Sequence, residues 1–373
     1  MKSIIRSFAI LLLSAVLYSC SSSNAPQTGT TPSGPIVYDV ASSSNSSVVG
    51  IYWLQTDGTS KMIGPNMTLV ARPIDGNIIG LRTDGDSIAF VKYSVVDTTP
   101  HVLFRVSGYP RDLAVAPDGN RLFYTTDGSD LRVRDLSSAQ ETKMQASPNG
   151  SLSWYWMQTP VFSPDSKQVA IAYVDNSIFH ITIAEVQSAV LRPLPDTVLL
   201  ASVAADPDPH SYDWTPDGTL IYIGATASSS MRALKRYDPK TGVSETLVSD
   251  SSIQPTSVKV SPSGRYVLYE TFYTNTQINN SYSVCTPVVY DLVSKSSTRL
   301  SLPYQLVNGS LAAYDWSPDS KSLILRTSES NLAGTQFIGQ SFTYDVASAT
   351  VTAAAGFQPG TIGHLWWGRP ATK

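Results

Sequence analysis

One short phrase recurs along this chain: Ser or Thr before Pro, then Asp, then Gly or Ser, then an apolar run. It is plainest in Asp315-Trp316-Ser317-Pro318-Asp319-Ser320 ahead of Leu323-Ile324-Leu325, and in Asp213-Trp214-Thr215-Pro216-Asp217-Gly218 ahead of Leu220-Ile221-Tyr222-Ile223. Anchored on the proline, copies fall at Pro32, Pro73, Pro117, Pro164, Pro216, Pro262 and Pro318. A last echo has Trp367 in the place of Trp316 and Arg369 in that of the proline. Each position has a physical job. Proline presets φ for the first turn position and has no N–H to lose, Asp bonds the backbone ahead of it, and Gly or Ser tolerates the tight bend. The apolar run that follows reads as a strand buried on both faces. Intervals of 41 to 56 residues between anchors match a unit of about four strands.

A chain of 373 residues is too long for one simple core, but a repeat array escapes that limit by burying each unit against its neighbours. Apolar content of 42% with 15% charge marks a folded protein, and 24 Pro and 23 Gly supply many turns. Val, Ile, Tyr and Thr fill short runs between those turns, which favours strands. A second echo ends strands with an aspartate before a turn: Arg134-Asp135, Tyr237-Asp238, Tyr290-Asp291 and Tyr344-Asp345. These are expected to form the outer hairpin of each unit. The fold expected is all-β, a β-propeller of four-stranded blades. Seven intervals give seven blades, with the strand around His364 to Trp367 completing the blade begun near Ile36 to Val40 and so leaving no long sheet edge exposed. Val37–Ser42, "VYDVAS", also matches the outer hairpin "TYDVAS" at Thr343. Six or eight blades therefore stay open at this point.

These residues resemble the TolB-like, WD-repeat-related β-propellers, in which "WSPDG" followed by an apolar strand defines each blade. The resemblance covers residues 32 to 370. The sequence departs from the pattern at Pro73, where Ile74 precedes Asp75, and at Pro32 and Pro262, where Ser replaces Asp. Only Trp214, Trp316 and Trp367 supply the tryptophan. The resemblance implies a partner in an envelope complex, although the N-terminal domain that accompanies the propeller in that family has no room here.

Residues 1–19 have a basic start at Lys2 and Arg6 and an apolar stretch from Phe8 to Leu17, too short for a permanent membrane span. Leu17-Tyr18-Ser19-Cys20 resembles the lipobox of a bacterial lipoprotein signal, which implies cleavage before Cys20 and lipid on its sulfur and new amino terminus. The alternative is an ordinary secretion signal with an incidental cysteine. A lipidated Cys20 leaves Cys285 without a disulfide partner, and nothing basic adjoins Cys285 to activate it. Residues 21–35, rich in Ser, Thr, Pro and Gly, are expected to act as a tether with a reach of about 20 Å, leaving 36–373 as a single propeller domain. By analogy with lipoprotein sorting, Ser21 after the lipidated cysteine implies the outer membrane, facing the periplasm. Without Lys2 and Arg6, 24 basic side chains face 29 acidic ones in no basic cluster, which argues against nucleic acid as a partner.

No G-x-S-x-G elbow, H-E-x-x-H, C-x-x-C pair, Walker loop or G-x-G-x-x-G occurs, so no catalytic residue, cofactor or metal is assigned. The four histidines, His101, His180, His210 and His364, lie in different units; a propeller could gather them at its axis, but His101 and His180 fall in stretches that read as outer strands. The candidate ligand-binding residues are Asp206, Asp208 and His210 in "DPDPHSYDW", and Trp154 and Trp156 in "SLSWYWMQTP". The first group could offer carboxylates to a cation or ligand, or be a turn-rich connection. The second has the residue types of carbohydrate and protein interfaces, or belongs in part to the core, with Tyr155 facing the opposite way. The leading expectation is a membrane-anchored, non-enzymatic scaffold that binds an envelope protein or a glycan or peptide ligand. The alternatives are a propeller glycan lyase or hydrolase with its site in the axial channel, and a purely structural envelope component.

Overall fold

The computed structural model describes residues 29–368, apart from 33, 43–45, 71–76, 95–98, 109, 127–129, 145–158, 176–177, 189, 200–210, 227–228, 251–253, 276–281, 308, 331–336 and 359. Its strands form seven antiparallel sheets of four, two of which carry an added two-residue strand, Leu306–Val307 and Phe337–Ile338. In chain order, blades 2 to 7 begin at Met67, Arg111, Val161, Tyr212, Gln254 and Gly309. Each runs from the innermost strand outward. Blade 1 is built from both ends of the chain: Thr361–Trp367 is its innermost strand, followed outward by Ile36–Ser42, Gly50–Leu54 and Ser60–Pro65. Ile36 pairs with Trp367 and Tyr38 with Leu365, so the ring closes as expected, with seven blades.

The core explains why single blades would not fold alone. Among the described residues, seven apolar clusters form, and each straddles two neighbouring blades. Ala114, Phe123, Leu131 and Met144 of blade 3 meet Phe162, Val169 and Ile171 of blade 4. Leu268 and Cys285 of blade 6 meet Trp316, Leu323 and Phe342 of blade 7, and Ile324 of blade 7 meets Ile36, Tyr38 and Trp367 of blade 1. A strand such as Leu220–Thr226 must therefore be apolar on both sides, and Leu220, Ile221, Tyr222 and Ile223 are all buried. Burying each such side chain stabilises the ring by roughly 1.5–3 kcal/mol before entropy is counted.

In blades 3 to 7 the Pro-Asp-Gly phrase is the turn between the innermost and second strands; the copy at Pro73 lies outside the described residues, and that at Pro32 precedes the second strand of blade 1. Ser317 Oγ donates to Asp319 Oδ1 (2.7 Å) and receives the Ser322 N–H (2.9 Å), and Ser163 repeats the arrangement with Asp165 (2.7 Å) and Gln168 (2.9 Å). Glycines 119, 218 and 264 sit in this turn at φ of 72°, 83° and 72°, the left-handed region that Gly enters without steric cost. Ser166 and Ser320 take the same conformation, both at φ 61°. Their hydroxyls offset the strain by accepting N–H groups from the preceding blade's turn, Asp118 to Ser166 (3.2 Å) and Ser263 to Ser320 (2.9 Å). The second echo is the outer hairpin: Asp135, Asp291 and Asp345 each accept backbone N–H groups two or three residues on. "VYDVAS" differs from these. Val37–Ser42 lies in the second strand of blade 1, with Asp39 fully buried, and the likeness to an outer hairpin is one of spelling alone.

The last residues of the polar N-terminal segment do not hang free, as a tether reaching Pro35 would. Thr30 bridges to Ala354 at the end of blade 7's outermost strand through Thr30 N–H to Ala353 O (2.9 Å) and Ala355 N–H to Thr30 O (3.1 Å). Pro32 is buried, and a side chain at Gly34 would lie 2.8 Å from Trp367 Nε1. Pairing, not composition, decides the fate of these residues.

Candidate functional site

In a propeller the innermost strands are sheet edges. One row of their backbone N–H and C=O groups pairs with the second strand, and the other row points away with no ladder partner. The chain meets that problem with its most conspicuous motif. Asp213 Oδ2 in blade 5 accepts the N–H of Val260 on blade 6's innermost strand (2.9 Å), and Asp315 Oδ2 in blade 7 accepts that of Trp367 on blade 1 (2.9 Å). The adjacent tryptophans reach the other way. Trp214 Nε1 donates to Val161 O of blade 4 (2.9 Å), and Trp316 Nε1 to Lys259 O of blade 6 (3.0 Å). Asp-Trp is thus a bracket, its acid holding the blade ahead and its indole the blade behind.

Two further carboxylates do the same from second strands, and sequence reasoning missed both. Asp39 accepts the Leu69 N–H of blade 2 (2.9 Å) and the His364 N–H (2.7 Å). Glu270, buried in blade 6, accepts the Leu311 N–H of blade 7 (2.8 Å), the Ser257 hydroxyl (2.5 Å) and the Cys285 thiol (2.8 Å). Burial pushes the Glu270 pKa up, opposed by those three donors. Cys285 is buried in its strand, as expected, with its sulfur turned to this acid. The available signal was a single acid flanked by apolar residues in a strand, "VYDVA" and "LYETF".

His364 is the described histidine on an innermost strand. Its Nδ1 lies 3.1 Å from Asp39 Oδ2, Trp366 stacks on its ring at 5.4 Å and 14°, and its side chain is 41% exposed. With the Nδ1 proton held against the carboxylate, Nε2 accepts a hydrogen bond when the imidazole is neutral and donates one when it is charged. The Trp366 ring adds an aromatic face beside it. A second polar pair, Lys259 Nζ and Asp213 Oδ2 (3.6 Å), lies on the innermost strands of blades 6 and 5. The innermost strands therefore carry an oriented imidazole, an aromatic ring packed against the cluster between blades 1 and 2, and an ammonium–carboxylate pair.

Cys20, Trp154, Tyr155, Trp156, Asp206, Asp208 and His210 lie outside the described residues. In sequence, Trp154 and Trp156 fall between the outermost strand of blade 3 and the innermost strand of blade 4, and Asp206, Asp208 and His210 between the corresponding strands of blades 4 and 5. His101 is exposed on the outermost strand of blade 2, and His180 is on the third strand of blade 4. Among the described residues no three His, Cys, Asp or Glu side chains are grouped to hold a metal ion.

No family model matches the sequence, and no curated protein matches it. Solved structures share the fold. A prolyl endopeptidase aligns with a TM-score of 0.58 at 13% identity, over 89% of this chain and 50% of that one. An oligogalacturonate lyase from Vibrio parahaemolyticus aligns at 0.54 and 9%, over 88% and 85%. TolB from Acinetobacter baumannii aligns at 0.50 and 13%, over 91% and 82%. The chain is a seven-bladed β-propeller, and at these identities the likeness extends to the fold alone.

Proposed function

We propose that the protein is a lipid-anchored component of the bacterial envelope whose propeller holds a protein, glycan or peptide ligand without transforming it. The observation that carries this is the engagement of the motif's own Asp and Trp between blades: what recurs makes a rigid ring, and what differs between blades is the connections that ring displays. The N-terminal leader ending at Cys20 supports the anchor. The pairing of Thr30 with blade 7 supports an attachment at the ring's rim. Test it with palmitate labelling and fractionation of the full chain and of Cys20→Ser, plus a photo-crosslinker at position 154 or 206 and at exposed Val243 on the rim. Label lost with Cys20→Ser, and capture from 154 or 206 but not 243, are expected. Unlabelled wild-type protein overturns the anchor, and equal capture from every site overturns the binding role.

One observation favours a second reading, an axial enzyme: Asp39 orients His364 as it would orient a general base. Two of the fold's relatives are oligogalacturonate lyases, one in complex with manganese. Incubation with oligogalacturonate and manganese, with products separated by chromatography, tests it. Turnover abolished by His364→Ala would replace the scaffold reading.

A further inference from the structure

Arg326 lies on the second strand of blade 7, on the face that packs against blade 1. It is only 8% exposed. Its neighbours on that strand face are Ser328 and Ile324, the latter in the cluster shared with Ile36, Tyr38 and Trp367. Against it lies the crossing from blade 7 to blade 1, described at residues 354–358 and 360. Nη2 donates to Gly360 O (3.1 Å) and Nη1 to Ser341 Oγ (3.1 Å). Both acceptors are neutral. Among the described residues no carboxylate lies within ion-pair distance of this guanidinium. Burial accordingly draws its pKa down to about 10.

A nearly buried cation without an anion is unusual, because desolvation costs several kcal/mol per ion unless an opposite charge offsets it. Fastening the crossing does not need the charge. Tyr38 Oη already accepts the Gln358 N–H (2.9 Å) and Ser60 Oγ donates to Gly356 O (2.5 Å), and a neutral amide could serve Gly360 O and Ser341. The guanidinium has five N–H donors, of which two are engaged here, and its planar fork suits a carboxylate held through two parallel bonds. A hydroxyl stands beside it, that of Ser341, and Ser328 follows two residues on along the same strand face. Gly339 keeps the backbone close to the ion, since a Cβ there would lie 2.8 Å from Nε.

We propose that Arg326 anchors an anion site at the seam between blades 7 and 1 that takes a ligand carboxylate arriving from the side of the crossing. The site is independent of the lipid anchor, and its failure would leave the scaffold reading intact. The experiment is urea unfolding of the full chain, followed by tryptophan fluorescence at fixed ionic strength, with chloride replaced stepwise by acetate. Wild type should show a saturable rise in midpoint. Arg326→Gln, confirmed folded by circular dichroism, should show none, and Arg326→Lys should need about tenfold more acetate, having lost the fork. N-acetyl-dialanine against its amide, and glucuronate against glucose, then separate a peptide terminus from a sugar acid as the source. Equal responses in wild type and Arg326→Gln would overturn the proposal. So would a wild type indifferent to all the carboxylates, which would leave Arg326 as a strap over the crossing; should Arg326→Gln not fold, Gly339→Ala supplies the second variant, expected to weaken the acetate response while keeping the charge.

Discussion

The two sides of the ring are fastened differently. From blade 5 through blade 2, every junction has a buried carboxylate that accepts an outward N–H of the next innermost strand: Asp213 to Val260, Glu270 to Leu311, Asp315 to Trp367 and Asp39 to Leu69. Between blades 2, 3 and 4, the described contacts are mainly apolar, with Phe90, Phe104 and Tyr124 packed ring against ring and Phe123 and Met144 set against Phe162 and Val169. A turn-to-turn bond from Asp118 to Ser166 is added there. The directional side contains the seam where the two chain ends meet. Apolar packing is tolerant of small slips, whereas a hydrogen-bonded carboxylate fixes register, and register is what a non-covalent closure must get right.

The largest effect expected from breaking this contrast comes at the seam. Asp39→Ala strands the buried Leu69 N–H and removes the acceptor of the half-buried His364 N–H, and should cost about 2–4 kcal/mol in urea unfolding. A loss of only a few tenths would mean that apolar packing closes the ring unaided. Next, Trp316→Phe keeps a ring in the cluster but deletes the bond to Lys259 O, for an expected loss of about 1–2 kcal/mol, with Trp214→Phe similar. At the turns, Ser320→Ala keeps the left-handed strain and forfeits the Ser263 bond, so about 1 kcal/mol should go; Ser320→Gly relieves the strain and should fall between Ala and wild type.

The gentlest probe is pH. Groups facing Glu270 are the Ser257 hydroxyl, the Cys285 thiol and the Leu311 N–H, with no cation among the causes of its shift. Its folded pKa is raised, so the folded state keeps this proton to higher pH than the unfolded chain does. Its contribution is fully present below the ordinary value of 4.5 and is lost as pH climbs through the raised one. Glu270→Gln should flatten that decline. Asp291 has the opposite sign. Its bond to Arg265 draws its pKa down from 3.8 to about 2, so its contribution disappears only as pH falls through that window. A midpoint-against-pH curve for wild type and Glu270→Gln checks both.

The architecture was legible because its determinants are local. A turn needs Pro, Asp and Gly in order, a doubly buried strand needs an unbroken apolar run, and seven spaced copies leave few other folds. Even the closing strand showed itself through Trp367. The brackets were half legible: Asp-Trp was visible as a repeat, but its role depends on contacts 47 to 57 residues away, which no local pattern encodes. Asp39, Glu270 and Arg326 were not legible, and His364 showed only as one of four scattered histidines and part of the closing strand, because the partners of each lie on other strands and no local pattern encodes them. Thr30 misled in the other direction, its polar surroundings hiding a backbone that pairs with the opposite end of the chain.

Amide hydrogen exchange reads the brackets most directly. Innermost-strand amides that point away from their own sheet should exchange quickly unless a neighbouring blade holds them, so Leu69, Val260, Leu311 and Trp367 should be slow in the native ring. Replacing Asp39, Asp213, Glu270 or Asp315 by Ala should speed the one partner across the junction while the other three stay protected. Four fast amides in the wild type, or one substitution that releases all of them together, would contradict a ring latched blade by blade.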